Sequence, residues 1–323
     1  MYMRLGVSRC PAASWHEGLD SQMNAGRKLE QLAQRFEPGS RLIRYWPLKG
    51  GISSLMFGFE LARPNGQTRT LVLRQPGDGA RNRQIAAREF WLLQVLHAAG
   101  LPVPMPCYLD ESGEIFALPC LITEYIEGTA QFAPADVDAF LARFAAALAQ
   151  IHRVDTTGLT VLPRREDQFT EKLRQRPASP DPSSEEGQLR RILEAVWPLP
   201  PLNQPVLLHG DFWPGNLLWQ GDQLAAVIDW EDAALGDPLA DVANARLEVL
   251  WAFGSRAMHD FTRHYRSLMP AIDFTHLHYR DLSAALERID QFDGWGLDAA
   301  TIRRMRERHK SFIAQALATL TPP

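Results

Sequence analysis

Three successive short runs rich in aliphatic and aromatic residues, RLIRYWPL (41–48), SLMFGFELA (54–62) and TRTLVLRQ (68–75), are separated by turn-forming segments. That pattern predicts β-strands. The connections between them, Lys49-Gly50-Gly51-Ile52-Ser53-Ser54 and Pro64-Asn65-Gly66, carry turn residues, so the runs read as an antiparallel meander. Leucines at helical spacing from Gly26 to Phe36 predict a short amphipathic helix ahead of them. The first 25 residues show no period and read as an N-terminal extension. Residues 81–99 follow a helical pattern that stops at Gly100, before Pro102. MPCYLDES (105–112) and IFALPCLITEYI (115–126) predict two further strands.

The pattern then changes. From Asp136 to His152 the chain is rich in alanine and leucine and predicts a well-buried helix, and beyond Leu235 it is mostly helical. RPASPDPSSEEG (176–187) reads as an exposed loop. A mainly β region therefore precedes a mainly helical one, with a junction between Glu124 and Gly128. The expected organisation is an extension over 1–25, a small lobe over 26–126 and a larger lobe over 127–323. Clefts between two such lobes commonly hold ligands.

Composition narrows the classes. The chain has 323 residues, of which 46% are hydrophobic and 22% charged, and its net charge is −4. That supports a sizeable core without disulfides or metals. It lacks the basic excess of a nucleic-acid binder. Arg303, Arg304, Arg306, Arg308 and Lys310 spread around a helix and read as its solvated surface. Cys10, Cys107 and Cys120 are too irregularly spaced for a disulfide framework or a zinc site; Cys107 and Cys120 read as core thiols. No run is long and apolar enough to span a membrane, and the N-terminus lacks the apolar core of a signal peptide. A cytoplasmic protein is the expectation.

The most informative stretch is VLLHGDFWPGNLLWQGDQLAAVIDWED (206–232). Leu217-Leu218-Trp219 and Leu224–Ile228 read as strands joined at Gly221-Asp222. In a two-residue hairpin Gln220 faces Gln223, and Asn216 faces Val227. Asn216 and Asp229 then converge at the open end, and Asp211 lies on the loop entering it. Two carboxylates and an amide oxygen at a loop edge suit Mg²⁺, which keeps its other positions for phosphate oxygens and water. Such an arrangement suits phosphoryl transfer, where positioning and charge neutralisation are most of the catalysis.

HGDFWPGN and VIDWEDAALGDPLADVA resemble the catalytic loop and metal-binding segment of the aminoglycoside phosphotransferase and choline kinase family. The resemblance spans roughly residues 26–270. It implies an α+β, two-lobed protein-kinase-like fold, with a small antiparallel β N-lobe bearing one helix and a larger, mainly helical C-lobe. It implies Asp211 as catalytic base, Asn216 and Asp229 as metal ligands, and His209, Asp237 and Asp241 as structural residues. His152, at a helix end, is assigned no chemistry.

The same order implies a nucleotide clamp in the first half. Gly50, Gly51, Ser53 and Ser54 occupy the place of a phosphate-covering turn, where glycine lets the backbone approach phosphate oxygens. Arg74 stands where protein kinases place the phosphate-holding lysine, with Glu89 as its ion-pair partner. The backbone of Glu124, Tyr125 and Ile126 would meet the adenine edge.

The function expected is an ATP-dependent (or GTP-dependent) small-molecule kinase using Mg²⁺, acting on a hydroxyl acceptor as a monomer or homodimer. The alternative is a catalytically silent nucleotide-binding or scaffold protein of the same fold. Asp229 is followed by GDPLAD without an activation segment, which disfavours a protein substrate. Glu231, Asp232, Glu248, Asp290 and Asp293 would suit a cationic acceptor such as an aminoglycoside or choline. Trp251, Phe253, Tyr265, Phe292 and Trp295 would suit a macrolide or another bulky apolar alcohol, or are simply core.

Overall fold

A computed structural model describes residues 19–48, 54–76, 84–175, 185–289 and 291–320. The small lobe runs α1 (Leu19–Phe36), β1 (Arg41–Pro47), β2 (Ser54–Ala62), β3 (Thr68–Pro76), α2 (Ile85–Ala98), β4 (Pro106–Asp110) and β5 (Cys120–Glu124). Its sheet has the order β1-β2-β3-β5-β4 with every neighbour antiparallel. The three strand-like runs form the antiparallel meander expected of them. α1 starts at Leu19 rather than near Gly26, so the small lobe carries a helix on each face of the sheet.

The two faces join different cores. Leu29, Leu32 and Ala33 of α1 pack with Phe59, Leu61, Leu71, Leu73 and Ile122 under one face. Phe90, Leu93 and Leu96 of α2 and Leu121 of β5 belong instead to the core that fills the rest of the molecule. Each fully buried leucine or phenylalanine contributes about 1.5–3 kcal/mol, and those of α2 pack it on its own sheet while joining the larger core. α2 ends as its sequence predicts. Gly100 takes φ +77, its amide bonds His97 O, and Leu101 N bonds Leu96 O, the paired bonds of a glycine-terminated helix.

The larger lobe comprises α3 (Val137–His152), α4 (Arg165–Arg174), α5 (Glu185–Val196), β6 (Val206–Leu208), β7 (Leu217–Gln220), β8 (Gln223–Val227), β9 (Ala234–Gly236), α6 (Leu239–Phe253), α7 (Ser255–Leu268), α8 (Leu277–Arg288) and α9 (Ala299–Leu320). Asp136 caps α3 by accepting from Ala139 N at 3.0 Å. The loop expected over 176–187 is corrected at its last three residues. Glu185, Glu186 and Gly187 form the first turn of α5, where acidic side chains meet the positive end of the helix dipole. Residues 176–184 lie outside the described residues.

Two other expectations change in detail. Arg303, Arg306 and Lys310 lie on the outer side of α9, but Arg308 turns inward and donates to Leu250 O and Trp251 O at 3.0 and 2.6 Å, closing the last turn of α6. Cys120 is buried and Cys107 half-buried, and burial pushes their thiols up to about 12 and about 11. Cys10 lies outside the described residues. Among those residues no helix is long and apolar enough to cross a membrane.

The lobes meet along β7. Past the junction, Thr129 exchanges backbone hydrogen bonds with Trp219 at 3.0 Å in both directions. A side chain at Gly128 would press on Leu218 Cβ at 2.9 Å, so the crossing needs glycine there.

Candidate active site

The β7–β8 hairpin sets the geometry. Gln220 pairs with Gln223 as expected, but Leu218 pairs with Ala226 while Trp219 pairs with Leu224. Ala225 is therefore the extra residue of a β-bulge. The expected pairing of Asn216 with Val227 is corrected by one step: Leu217 faces Val227, and Asn216 O accepts from Ile228 N at 2.9 Å. The bulge places Asn216 opposite the residue immediately before Asp229.

The loop before the hairpin is held from beneath by Asp241 on α6. Its Oδ2 accepts from His209 N at 2.7 Å and its Oδ1 from Gly210 N at 3.0 Å. His152 Nε2 lies 3.3 Å from Oδ2, and His152 Nδ1 lies 2.6 Å from the Tyr265 hydroxyl. Burial alone would raise the Asp241 carboxyl, but the hydrogen bond and charge of His152, with those of His209, hold it below the ordinary range. His209 is fully buried, its Nε2 3.0 Å from Ile228 O, and burial pushes its imidazole below the ordinary value. Gly210 has φ +86, and any Cβ there would collide with the Asp232 carbonyl. Asp237, just before α6, accepts from Leu239 N, the first amide of that helix, at 2.9 Å. His152, which the sequence left without a role, belongs to this buried support.

Asp211 and Asn216 are brought together. Asn216 Nδ2 donates to Asp211 O at 2.9 Å and to Asp211 Oδ2 at 3.2 Å. That orientation turns the Asn216 Oδ1 acceptor away from Asp211. The other Asp211 oxygen, Oδ1, accepts from Arg288 Nη2 at 2.6 Å. Sequence reasoning missed Arg288, which comes from the end of α8.

The expected Arg74–Glu89 pair is formed, with Arg74 Nη1 on Glu89 Oε2 and both side chains buried. Arg74 Nη2 also reaches Asp229 Oδ1 at 2.8 Å and Glu231 Oε2 at 2.6 Å. One guanidinium from β3 thus gathers acids from α2 and from the segment after β8, using the planar fork of donors that distinguishes arginine from lysine. Asp229 has φ +68, a conformation uncommon for a non-glycine residue. Burial pushes its carboxyl up to about 6, against the opposing pull of Arg74. Among the described residues no three His, Cys, Asp or Glu side chains cluster as a metal site of their own. The Asn216 amide oxygen with one or two carboxylates, and room left for phosphate, is the donor set Mg²⁺ takes in nucleotide sites.

Of the expected phosphate turn, Gly50, Gly51 and Ser53 lie outside the described residues. Ser54 opens β2 opposite Pro76, and its buried hydroxyl has no partner among the described residues. At the hinge, Glu124 N is bonded to Met105 O at 2.9 Å and Tyr125 N to Thr70 O at 3.2 Å. Neither amide is free for a ligand. Tyr125 meets the Trp46 ring edge-on at 6.0 Å, and Gly58 supplies the bare backbone on which that ring lies.

On the far side of Asp211, burial pushes Glu248 up to about 8 and raises Asp232, with Asp211 and Glu231 adding to the second shift. Asp290 and the Asp293 side chain lie outside the described residues. Trp251, Tyr265 and Phe292 are buried, and Phe253 and Trp295 pack against the same core. The aromatic residues considered for an apolar acceptor are core.

A model of the phosphotransferase enzyme family matches residues 47–307. The chain belongs to that family. Two curated relatives share part of the sequence. A homoserine kinase of Methylocella silvestris is 30% identical over 173 residues, which are 47% of this chain and 49% of that protein. Acyl-CoA dehydrogenase family member 10 of Mus musculus is 31% identical over 195 residues, 54% of this chain but 18% of the mouse protein. The chain therefore spans at most about half of these relatives. Among solved structures, a thermostable mutant of aminoglycoside phosphotransferase APH(4)-Ia, in a ternary complex with AMP-PNP and hygromycin B, superposes with a TM-score of 0.60. It is 20% identical, over 88% of this phosphotransferase-family chain and 98% of the other. The fold is the two-lobed, protein-kinase-like one.

Proposed function

We propose that this protein is an ATP-dependent small-molecule kinase that transfers the γ-phosphoryl group to a hydroxyl of its acceptor. The observation that carries the reading is the convergence of Asp211, Asn216 and Asp229 at one end of the hairpin, beneath the Arg74–Glu89 pair. The homoserine kinase and the nucleotide-bound aminoglycoside phosphotransferase support it by likeness.

In this reading the Asp211 carboxylate accepts the proton of the acceptor hydroxyl as its oxygen bonds to the γ-phosphorus. The bond from that phosphorus to the β–γ bridging oxygen breaks, and ADP leaves. Asn216 and Asp229 would hold Mg²⁺, which neutralises charge on the β- and γ-phosphates when bound. Arg74, steered by Glu89, holds phosphate oxygens once it is released from Asp229. With two hinge amides already engaged, the purine edge is left to the Ile126 amide and the hinge carbonyls, beside Tyr125 and Trp46. Asp232, near Asp211, favours an acceptor that carries an amine.

The test is phosphate transfer from labelled ATP to a panel of hydroxylated amines, amino acids and sugars, comparing wild type with Asp211→Asn. A general base contributes about 10²–10⁴-fold, so the variant should bind nucleotide yet lose turnover on that scale. Wild-type turnover in Asp211→Asn contradicts the assignment.

A further inference from the structure

Arg288 closes α8 and lies far in sequence from the loop it touches, yet its Nη2 is 2.6 Å from Asp211 Oδ1. The same nitrogen is 3.3 Å from Asn244 Oδ1, and Nη1 is 3.3 Å from Gln291 Oε1. Asn244 is itself tied to the reaction loop through Phe212 O at 3.3 Å. The helix behind Arg288 is fixed by two arginine pairs, one half-buried and one buried. Arg280 bonds Glu166 at 3.0 Å, and Asp281 receives both Nε and Nη2 of Arg246 at 3.0 Å. Arg288 is thus presented from a rigid element and kept in place by groups other than Asp211.

The pair is a poor candidate for a purely structural contact. Its side chains are 22% and 26% exposed, so the contact reaches solvent rather than filling the core. Its geometry bears on chemistry instead. Asp211 is gripped at both oxygens from two directions, Oδ2 by Asn216 and Oδ1 by Arg288. A carboxylate has about four lone-pair sites, so two donors fix its plane and leave sites for an incoming hydroxyl.

We propose that Arg288 is a positioning residue for Asp211, holding the carboxylate in the plane from which it meets the acceptor hydroxyl. The inference rests on the kinase reading above. It also makes α8, rather than the catalytic loop alone, part of the reaction machinery.

The experiment measures steady-state Mg-ATP turnover, with the best acceptor of the panel and with water counted as an acceptor, for wild type, Arg288→Ala, Arg288→Lys and Asp211→Asn. Because misplacing a reacting group by about 1 Å can cost up to 10²-fold, Arg288→Ala should lose about tenfold or more in kcat, with KM for Mg-ATP changed by about twofold at most. Arg288→Lys keeps one charged donor and should recover part of the loss. Wild-type kcat in Arg288→Ala overturns the inference. So does a lysine variant as impaired as the alanine variant, if both melt well below wild type, because that marks a structural residue. A wild-type protein that neither binds nor turns over Mg-ATP overturns the kinase reading itself, and this inference with it.

Discussion

Arg74 on β3 and Asp229 after β8 stand 155 positions apart in sequence and 2.8 Å apart in space. The same guanidinium holds Glu89 and Glu231. Removing one member of such a cluster leaves the others uncompensated, and for a buried pair that costs about 3–5 kcal/mol. Arg74→Ala should therefore destabilise the protein on that scale in urea unfolding. Arg74→Lys, which keeps the charge without the fork, should fall between. An alanine variant as stable as wild type would mean that solvent already screens the three acids.

Asp241 touches none of the proposed reacting groups, yet it holds the amides of His209 and Gly210. Each buried amide left without an acceptor costs about 1–3 kcal/mol. Asp241→Ala should lower stability by about 2–6 kcal/mol and reduce turnover with it, read by thermal unfolding and kinetics on one preparation. Full activity in a destabilised Asp241→Ala protein would uncouple the loop from its support.

Two glycines with positive φ make opposite predictions. At Gly210 a methyl group meets the Asp232 carbonyl, whereas at Gly221 it meets nothing within 4 Å. Gly221→Ala should cost about 1–2 kcal/mol, the strain of an L-residue in that conformation. Gly210→Ala adds a backbone collision and should lose folded protein or activity altogether. Equal losses at the two sites would be unexpected.

His309 is buried against the faces and edges of Trp251 and Phe292. Neither of its ring nitrogens has a hydrogen-bond partner among the described residues. Burial lowers it from the ordinary 6.5 to about 4. With the folded value depressed, the unfolded chain takes up the proton first. The stability His309 confers is complete above pH 6.5 and is lost as pH falls towards 4, by about 3 kcal/mol in all. His309→Phe keeps the ring contacts without the proton, so its stability should fall less steeply across that window. A variant with the wild-type pH dependence would show that other groups govern acid unfolding.

Local pattern made much of the fold legible in the sequence. Short apolar runs bounded by turn residues such as Pro64-Asn65-Gly66 marked the meander, and the two-residue turn at Gly221-Asp222 marked the hairpin. The bulge at Ala225 was not legible, because an alanine there differs in nothing local from its neighbour Ala226. Arg74 and Glu89 could be paired only from the order of strand and helix. Arg288 left no trace, since an arginine at a helix end is common and its partner lies 77 positions away. The helical turns of α1 before Gly26 lack the leucine spacing that betrays the rest. The aromatic residues of the last helices looked equally suited to a binding wall or a core, and only packing separates the two.

A metal–nucleotide site at Asn216 and Asp229 underlies the whole kinase reading, and a thermal-shift titration examines it without any acceptor. Wild type and Asp229→Ala are melted with Mg-ATP, with Mg²⁺ alone and with ATP plus chelator. A ligand at a hundred times its Kd stabilises by about 2.7 kcal/mol. The expected result is a Mg-dependent rise with ATP in wild type that is absent or much smaller in Asp229→Ala. An equal rise in both proteins, or none in wild type, contradicts the site.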